Sequence, residues 1–335
     1  MIFASVPLLA RDSSDVVIMK NGDHILCEIK YLDSGVLYIS PSYVLDTYGV
    51  DWTRVDTLES KQAFTVTMTD GNRYTGTIEK LSAKEHATRD FRIVRQGFPL
   101  QVKSTEISAI RQVEQGFWNQ QTGSVNAGFN FTQGNSSAQL SIAGNTDYRQ
   151  ERYTLHLDGS ATFSSQSKAR TARYTTNFEY NRYIRGPWYT GTLVNLLRSD
   201  QQELRLRASF GQGMGRDFAR TYRTEMSALV GAVFTNEFYV PQPGLEPHTR
   251  NAEAVVGLTF STYRFKYTQV SNQTYLYPNL STPGRIRIST TSYLKFRLAR
   301  NLDWIFSVYE NFDSEPPINA PRNDAGVSTS LGWTF

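Results

Sequence analysis

A chain of 335 residues with a formal net charge of +4 is long enough for two or three small domains or for one large barrel. Hydrophobic residues make up only 39% of it, and no run of about eighteen apolar residues occurs, which excludes a helical membrane span. A strand-based span escapes that exclusion, because alternation of lipid-facing and lumen-facing positions halves the hydrophobicity of each strand. The 19 Tyr and 19 Phe suit aromatic girdles.

The charge is unevenly spread. Residues 1–116 hold 13 Lys and Arg against 15 Asp and Glu, whereas residues 117–335 hold 22 against 16, and there the basic residues are 19 Arg and 3 Lys. The arginines are scattered one or two to a strand and interleaved with Glu, which argues against a nucleic-acid patch and for an ion-paired, solvated interior. Cys27 is the only cysteine, so no intrachain disulfide and no cysteine-based metal site is expected.

In chain order, residues 1–14 read as the remnant of a secretory signal or as a disordered start: Ile2 to Ala10 are apolar and small, but the basic region that opens such signals is missing. A duplication follows. MKNGDHILCEIKYL (19–32) aligns without gaps to MTDGNRYTGTIEKL (68–81), matching Gly22 to Gly71 and Ile29 to Ile78, and further on Val55 and Leu58 fall opposite Ile107 and Ile110. Each copy reads as a hairpin with an Asn-Gly or Asp-Gly turn followed by further short strands. A unit of this size buries little surface alone. We therefore expect tandem SH3-like or Sm-like barrels over 15–60 and 62–114, packed together or fused, and a linker over 115–121.

From Thr122 the pattern changes to long alternating strands. Outward faces are expected at Val125, Ala127 and Phe129, at Leu140 and Ile142, and at Leu155, Leu157 and Phe163; later ones include Leu204, Leu206 and Phe210, then Val256, Leu258 and Phe260, then Tyr263, Phe265 and Tyr267. The count is twelve antiparallel strands, an even number as bacterial single-chain barrels require. The loops predicted after odd-numbered strands are the long ones, at Thr235 to Arg250, Ser271 to Gly284 and Asp313 to Asn323; Gly213 to Arg220 is the longest expected on the other side. The last strand alternates Val327, Thr329, Leu331, Trp333 and Phe335 with small residues, and Val327, Leu331, Trp333 and Phe335 are expected to form the signal read by the barrel-assembly machinery.

Three stretches resemble the salt-induced outer-membrane protein family, whose molecular function is not established. They are KNGD (20–23) with Val50-Asp51-Trp52 and Val55, GFNFTQGNSS (128–137), and YENFDSEPP (309–317) followed by Asn323-Asp324 and STSLGWTF (328–335). The resemblance implies the outer membrane of a diderm bacterium, an N-terminal domain in the periplasm and a role in envelope maintenance under salt or osmotic stress. It transfers no catalytic residue. The partners expected are outer-membrane lipid and lipopolysaccharide, the assembly machinery, and a periplasmic protein or peptidoglycan for the N-terminal modules.

Candidate chemistry is sparse. His156, Asp158 and Ser160 share one strand face, but at about 3.3 Å per residue His156 and Ser160 stand roughly 13 Å apart, too far for a base to activate a nucleophile. Gly211, Gly213 and Gly215 form a GxGxG that leads into no helix, so a nucleotide loop fails its structural condition. No histidine spacing suggests zinc, and no cofactor is expected. The inward-facing charged set comprises Arg173, Glu179, Glu203, Arg205, Arg207, Arg223, Glu225, Glu253, Arg264, Lys266, Arg285, Arg287, Lys295 and Arg297. So many ions must pair or be hydrated. An ion-paired plug is the favoured reading; a narrow, weakly anion-preferring pore is the first rival and a lipid-active enzyme the second.

Overall fold

The computed structural model describes residues 14–44, 47–81, 91–95, 97–113, 121–132, 137–166, 169–241, 246–265, 267–299, 301–316 and 321–334. Residues 1–13 of the expected signal remnant, Lys266, the side chain of Arg264 and Phe335 lie outside the described residues. The chain divides into two units, one of Met1–Thr69 and Arg73–Val113, the other of Glu114–Phe335 with Asp70–Asn72.

Among the described residues the first unit is one nine-stranded sheet: β1 (Asp15–Met19), β2 (His24–Asp33), β3 (Val36–Ser40), β4 (Tyr48–Asp51), β5 (Val55–Met68), β6 (Arg73–Glu79), β7 (Phe91–Arg95), β8 (Phe98–Val102) and β9 (Ile107–Gln112). The strands run in the order β4-β3-β2-β1-β5-β6-β7-β8, and β9 pairs with both β2 and β5. β5 passes without interruption through the expected 60/62 boundary between copies, so the two halves share a strand and are fused. Gly22 and Gly71 take φ of +89° and +87°, the left-handed geometry for which Asn-Gly and Asp-Gly are selected. One apolar core includes Ile29, Leu37, Trp52, Phe64, Phe91 and Ile110, all inaccessible or nearly so. Trp52 stacks on Phe91 at 5.5 Å and donates its indole N–H to the Ser104 carbonyl at 3.0 Å, tying residues of the two halves together. Buried Asp15 accepts from the Ile29 amide at 2.9 Å and from the Ser60 hydroxyl, so its carboxylate is satisfied inside the core.

The second unit is a closed antiparallel barrel of twelve strands: β10 (Gln121–Thr132), β11 (Ser137–Arg149), β12 (Tyr153–Gln166), β13 (Ala169–Arg185), β14 (Trp188–Ser199), β15 (Leu204–Arg220), β16 (Thr224–Tyr239), β17 (His248–Phe265), β18 (Thr268–Pro278), β19 (Ile286–Arg297), β20 (Leu302–Asp313) and β21 (Asn323–Thr334). Closure is made by β10 against β21, with Val125 opposite Trp333 and Ala127 opposite Leu331. The long connections 240–247, 279–285 and 314–322 lie at one end, and the short ones 150–152, 186–187, 221–223 and 298–301 at the other. The outer wall is apolar, with Phe129, Val230, Leu258, Phe306, Val327, Leu331 and Trp333 among its exposed side chains. Aromatic rings gather near the short-turn end, where Tyr148, Tyr153 and Tyr180 follow one another at 6.1 and 5.8 Å.

Three local expectations are corrected. Gly213 to Arg220 is no loop but part of β15, and Ser271 to Pro278 belongs to β18, whereas Tyr263 and Phe265 end β17 and Tyr267 lies in the turn that follows. Glycine has low strand propensity, but Gly215 is there because a Cβ would stand 2.2 Å from the Tyr189 ring that fills the lumen above it. β18 hides because two of its outward residues are polar: Asn272 donates to the Ser292 hydroxyl at 2.8 Å, and the Thr274 and Thr290 hydroxyls meet at 3.3 Å. Leu204, expected on the outer wall, is buried with Leu197 and Tyr239, because the register of β15 shifts between Leu204 and Leu206.

Candidate functional site

Alternation along the barrel strands aims every second side chain at the lumen, and although Leu197, Val233 and Val255 are among the buried apolar ones, many of the rest are polar or charged. At the long-loop end Arg285, just ahead of β19, clasps two carboxylates. Its Nε and Nη2 donate to Asp313 at 3.0 and 2.6 Å, and its Nη1 and Nη2 donate to Glu237 at 2.8 and 3.2 Å. Arg207 approaches from the opposite side, with Nη2 2.6 Å from Glu237 and 3.7 Å from Asp313. Thr249 and Asn251 complete the shell around Glu237 at 3.1 and 3.2 Å. All four charged groups are nearly inaccessible, and their pairing meets the condition for burying ions.

Two more ion pairs flank this cluster. Arg287 pairs with Glu253, which also accepts from the Thr235 hydroxyl at 2.7 Å. Arg173 on β13 pairs with Asp324 on β21, and its guanidinium lies 4.9 Å over the Tyr309 ring. Lower in the lumen the Tyr275 hydroxyl on β18 donates to Glu179 on β13 at 3.0 Å. These contacts join strands that are not neighbours in the barrel order, β13 to β18, β13 to β21 and β15 to β20, so they cross the lumen.

Toward the short-turn end His156 sits between two carboxylates, Nδ1 2.9 Å from Asp147 and Nε2 3.4 Å from Asp158. Both ring nitrogens face acids, so the His156–Ser160 pairing that a hydrolase needs is not formed. Lys295 and Arg297 both approach buried Asp303, at 3.7 and 3.6 Å. Among the described residues no group of three His, Cys, Asp or Glu side chains is arranged to hold a metal ion.

The expected charge set is thus divided. Arg173, Glu179, Arg207, Glu225, Glu253, Arg285, Arg287, Lys295 and Arg297 face the lumen or its mouth. Glu203 stands in the β14–β15 turn, Arg223 is exposed in the bend before β16, and Arg205 is exposed at the register shift of β15. Sequence reasoning missed the acids that answer the arginines, namely Asp147, Glu237, Asp303, Asp313 and Asp324. Glu237 was hidden inside the expected loop Thr235 to Arg250, whose first residues to Tyr239 belong to β16 and whose last, from His248, belong to β17; Asp313 and Asp324 were hidden at the edges of another expected loop.

Residues 125–335, almost the whole barrel, match a single family model. The chain belongs to the family described as "Protein of unknown function, DUF481". That membership is consistent with the resemblance read from GFNFTQGNSS and the closing strand, which lie within the matched residues; KNGD lies outside them. No curated protein matches this DUF481 chain in sequence. Among solved structures, the NanC porin is similar at 10% identity and TM-score 0.38, over 64% of this chain and 98% of the porin chain. The translocator domain of the autotransporter NalP from Neisseria meningitidis is similar at 9% identity and TM-score 0.37, over 64% of this chain and 86% of that one. The CymD monoaromatic hydrocarbon channel is similar at 10% identity and TM-score 0.32, over 64% and 87%.

Proposed function

We propose that this DUF481 chain is a non-enzymatic outer-membrane barrel with a periplasmic N-terminal domain, acting in envelope maintenance under salt or osmotic stress. The closed barrel with an apolar outer wall and polar lumen supports the location. An even strand number starts and ends the barrel at the short-turn face, which is the periplasmic face in this reading. The observation that carries a closed, structural role is the set of ties across the lumen, above all the Arg285–Glu237–Asp313–Arg207 cluster.

Among the described residues of the first unit, with β5 closing the first half and opening the second, each half has four strands, a 3-10 turn (Trp52–Arg54 or Ser104–Glu106) and a closing strand. That order supports the tandem SH3-like reading, and such small barrels suit a periplasmic protein or peptidoglycan partner by analogy of fold. Lipopolysaccharide, membrane lipid and the assembly machinery are the partners of the barrel itself.

The deciding experiment is single-channel recording of the refolded chain in planar bilayers. No steady conductance is expected from an ion-paired lumen; a stable open level would transfer the assignment to a narrow pore. Fractionation of the native cell, in which the chain should be found in the outer membrane with heat-modifiable gel mobility, tests the location, and growth of a deletion strain in high salt tests the stress role.

A further inference from the structure

β15 carries one residue too many for both of its neighbours. Toward β16, Leu204 pairs with Tyr239 and Leu206 with Phe238; toward β14, Leu204 pairs with Ser199 and Arg207 with Leu197. Arg198 therefore faces both Arg205 and Leu206 across a bulge, a device that re-aims side chains. Here it sends Leu204 into the interior and leaves Arg205 and Leu206 exposed on the outer wall.

The bulge brings two guanidinium groups to one place at the long-loop end, where like charges on facing strands repel. Arg198 and Arg205 line a cleft of about 390 Å³ together with Asp200, Leu204 and Val240. Asp200 offsets only part of this charge. One of its oxygens lies 3.5 Å from Arg198 Nε, and the other accepts from the Ala172 amide at 2.8 Å. Arg205 has no hydrogen bond or ion pair among the described residues. Immediately beneath, on the same strands and the next, Leu196, Leu206 and Phe238 are exposed and apolar.

We infer that this cleft binds the phosphate headgroup of a phosphorylated glycolipid in the outer leaflet, with its acyl chains along Leu196, Leu206 and Phe238. A guanidinium fork matches phosphate geometry with paired, charge-assisted hydrogen bonds. Soluble phosphate would need only the arginines; a lipid needs the basic cleft and the apolar wall in sequence along the strand, which is the arrangement here. The inference rests on the outer-membrane reading above, since it requires the long loops to face outside.

The test uses the full-length refolded chain in detergent, bis-phosphorylated lipid A as probe, and native mass spectrometry to count lipid retained. The wild type should retain lipid A but not its dephosphorylated form, and R198Q/R205Q should lose at least tenfold in retention while keeping heat-modifiable mobility. R182Q/R216Q, which removes two exposed arginines near the short-turn end, should lose less than twofold. If the double variant fails to fold, R205Q alone should lose about threefold. Equal retention by wild type and R198Q/R205Q, or equal retention of dephosphorylated lipid A, overturns the inference. So does inorganic phosphate binding that lipid A fails to displace, which would mark a free-phosphate site. Orientation is read separately: E246C in the long connection before β17 should label from outside intact cells. Labelling only from inside would refute the outer-membrane reading while the detergent measurement still reports on the cleft.

Discussion

Replacing Arg285 with methionine tests whether the lumen is a packed solid or a wet channel. Arg285 donates four hydrogen bonds to Glu237 and Asp313 at 2.6–3.2 Å, and its side chain is 7% exposed. In R285M both carboxylates lose their principal counterion, and only Arg207 remains within reach, at 2.6 Å from one and 3.7 Å from the other. Breaking a buried pair by removing one partner costs about 3–5 kcal/mol, because the partner stays behind uncompensated. Arg207 shifts toward the vacated charge, so the lower half of that range, about 3 kcal/mol, is the expected loss. Urea unfolding in micelles, followed by heat-modifiable gel mobility, measures it. The companion R207M/R285M/E237L/D313L, which replaces the whole charged cluster by apolar side chains and leaves no buried ion unpaired, should recover part of the loss. A cost below about 1 kcal/mol for R285M is the value for an exposed ion pair, and would refute the closed-lumen argument.

Tyr275→Phe should cost about 1 kcal/mol, the penalty for leaving half-buried Glu179 without this donor, with unfolding in the same assay as the check. Gly231→Ala should abolish folded barrel, because its Cβ would stand 2.3 Å from the Gln212 carbonyl and 2.6 Å from Gly213 Cα on the paired strand; recovery of wild-type levels would contradict this. Burial, with Asp15 and Glu28 nearby, pushes the Cys27 thiol up to about 12 from its ordinary value of 9.0, so in the native chain it should resist iodoacetamide at pH 9 until urea is added. A raised thiol pKa favours the folded state below about 9 and loses that advantage as pH climbs toward about 12, at up to about 1.4 kcal/mol per pH unit, and Cys27→Ala should flatten the alkaline limb of the stability curve.

Strands with clean alternation were legible because one period fixes both conformation and facing. Phe306 and Val308 on β20, and Val230 and Phe234 on β16, point outward as their spacing demands. The twelve-strand total was reached with one strand misplaced: polar Asn272 and Thr274 weakened β18, and Tyr263, Phe265 and Tyr267 stood in for it. A bulge is invisible to a period-two reading, which is why Leu204 and Arg205 were assigned to each other's sides. The arginines of the lumen could be found by type alone, while the acids that satisfy them could not, since Asp324 meets Arg173 only through barrel closure and Asp313 meets Arg285 only through the register of β19 against β20.

The shared strand of the first unit also fixes an order of events during synthesis. β2 emerges early, yet two of its residues, Tyr31 and Leu32, pair with Arg111 and Ile110 of β9, about eighty positions later in the chain. Contacts that distant close slowly, because the intervening loop must lose its freedom before the pairing rewards it. The first half can therefore form its hairpins at once but cannot seal its edge until residue 112 is available. Until residue 112 is available the first half thus carries an open strand edge, and that interval, which closes before the first barrel strand begins at Gln121, is when this part of the chain most needs an escort.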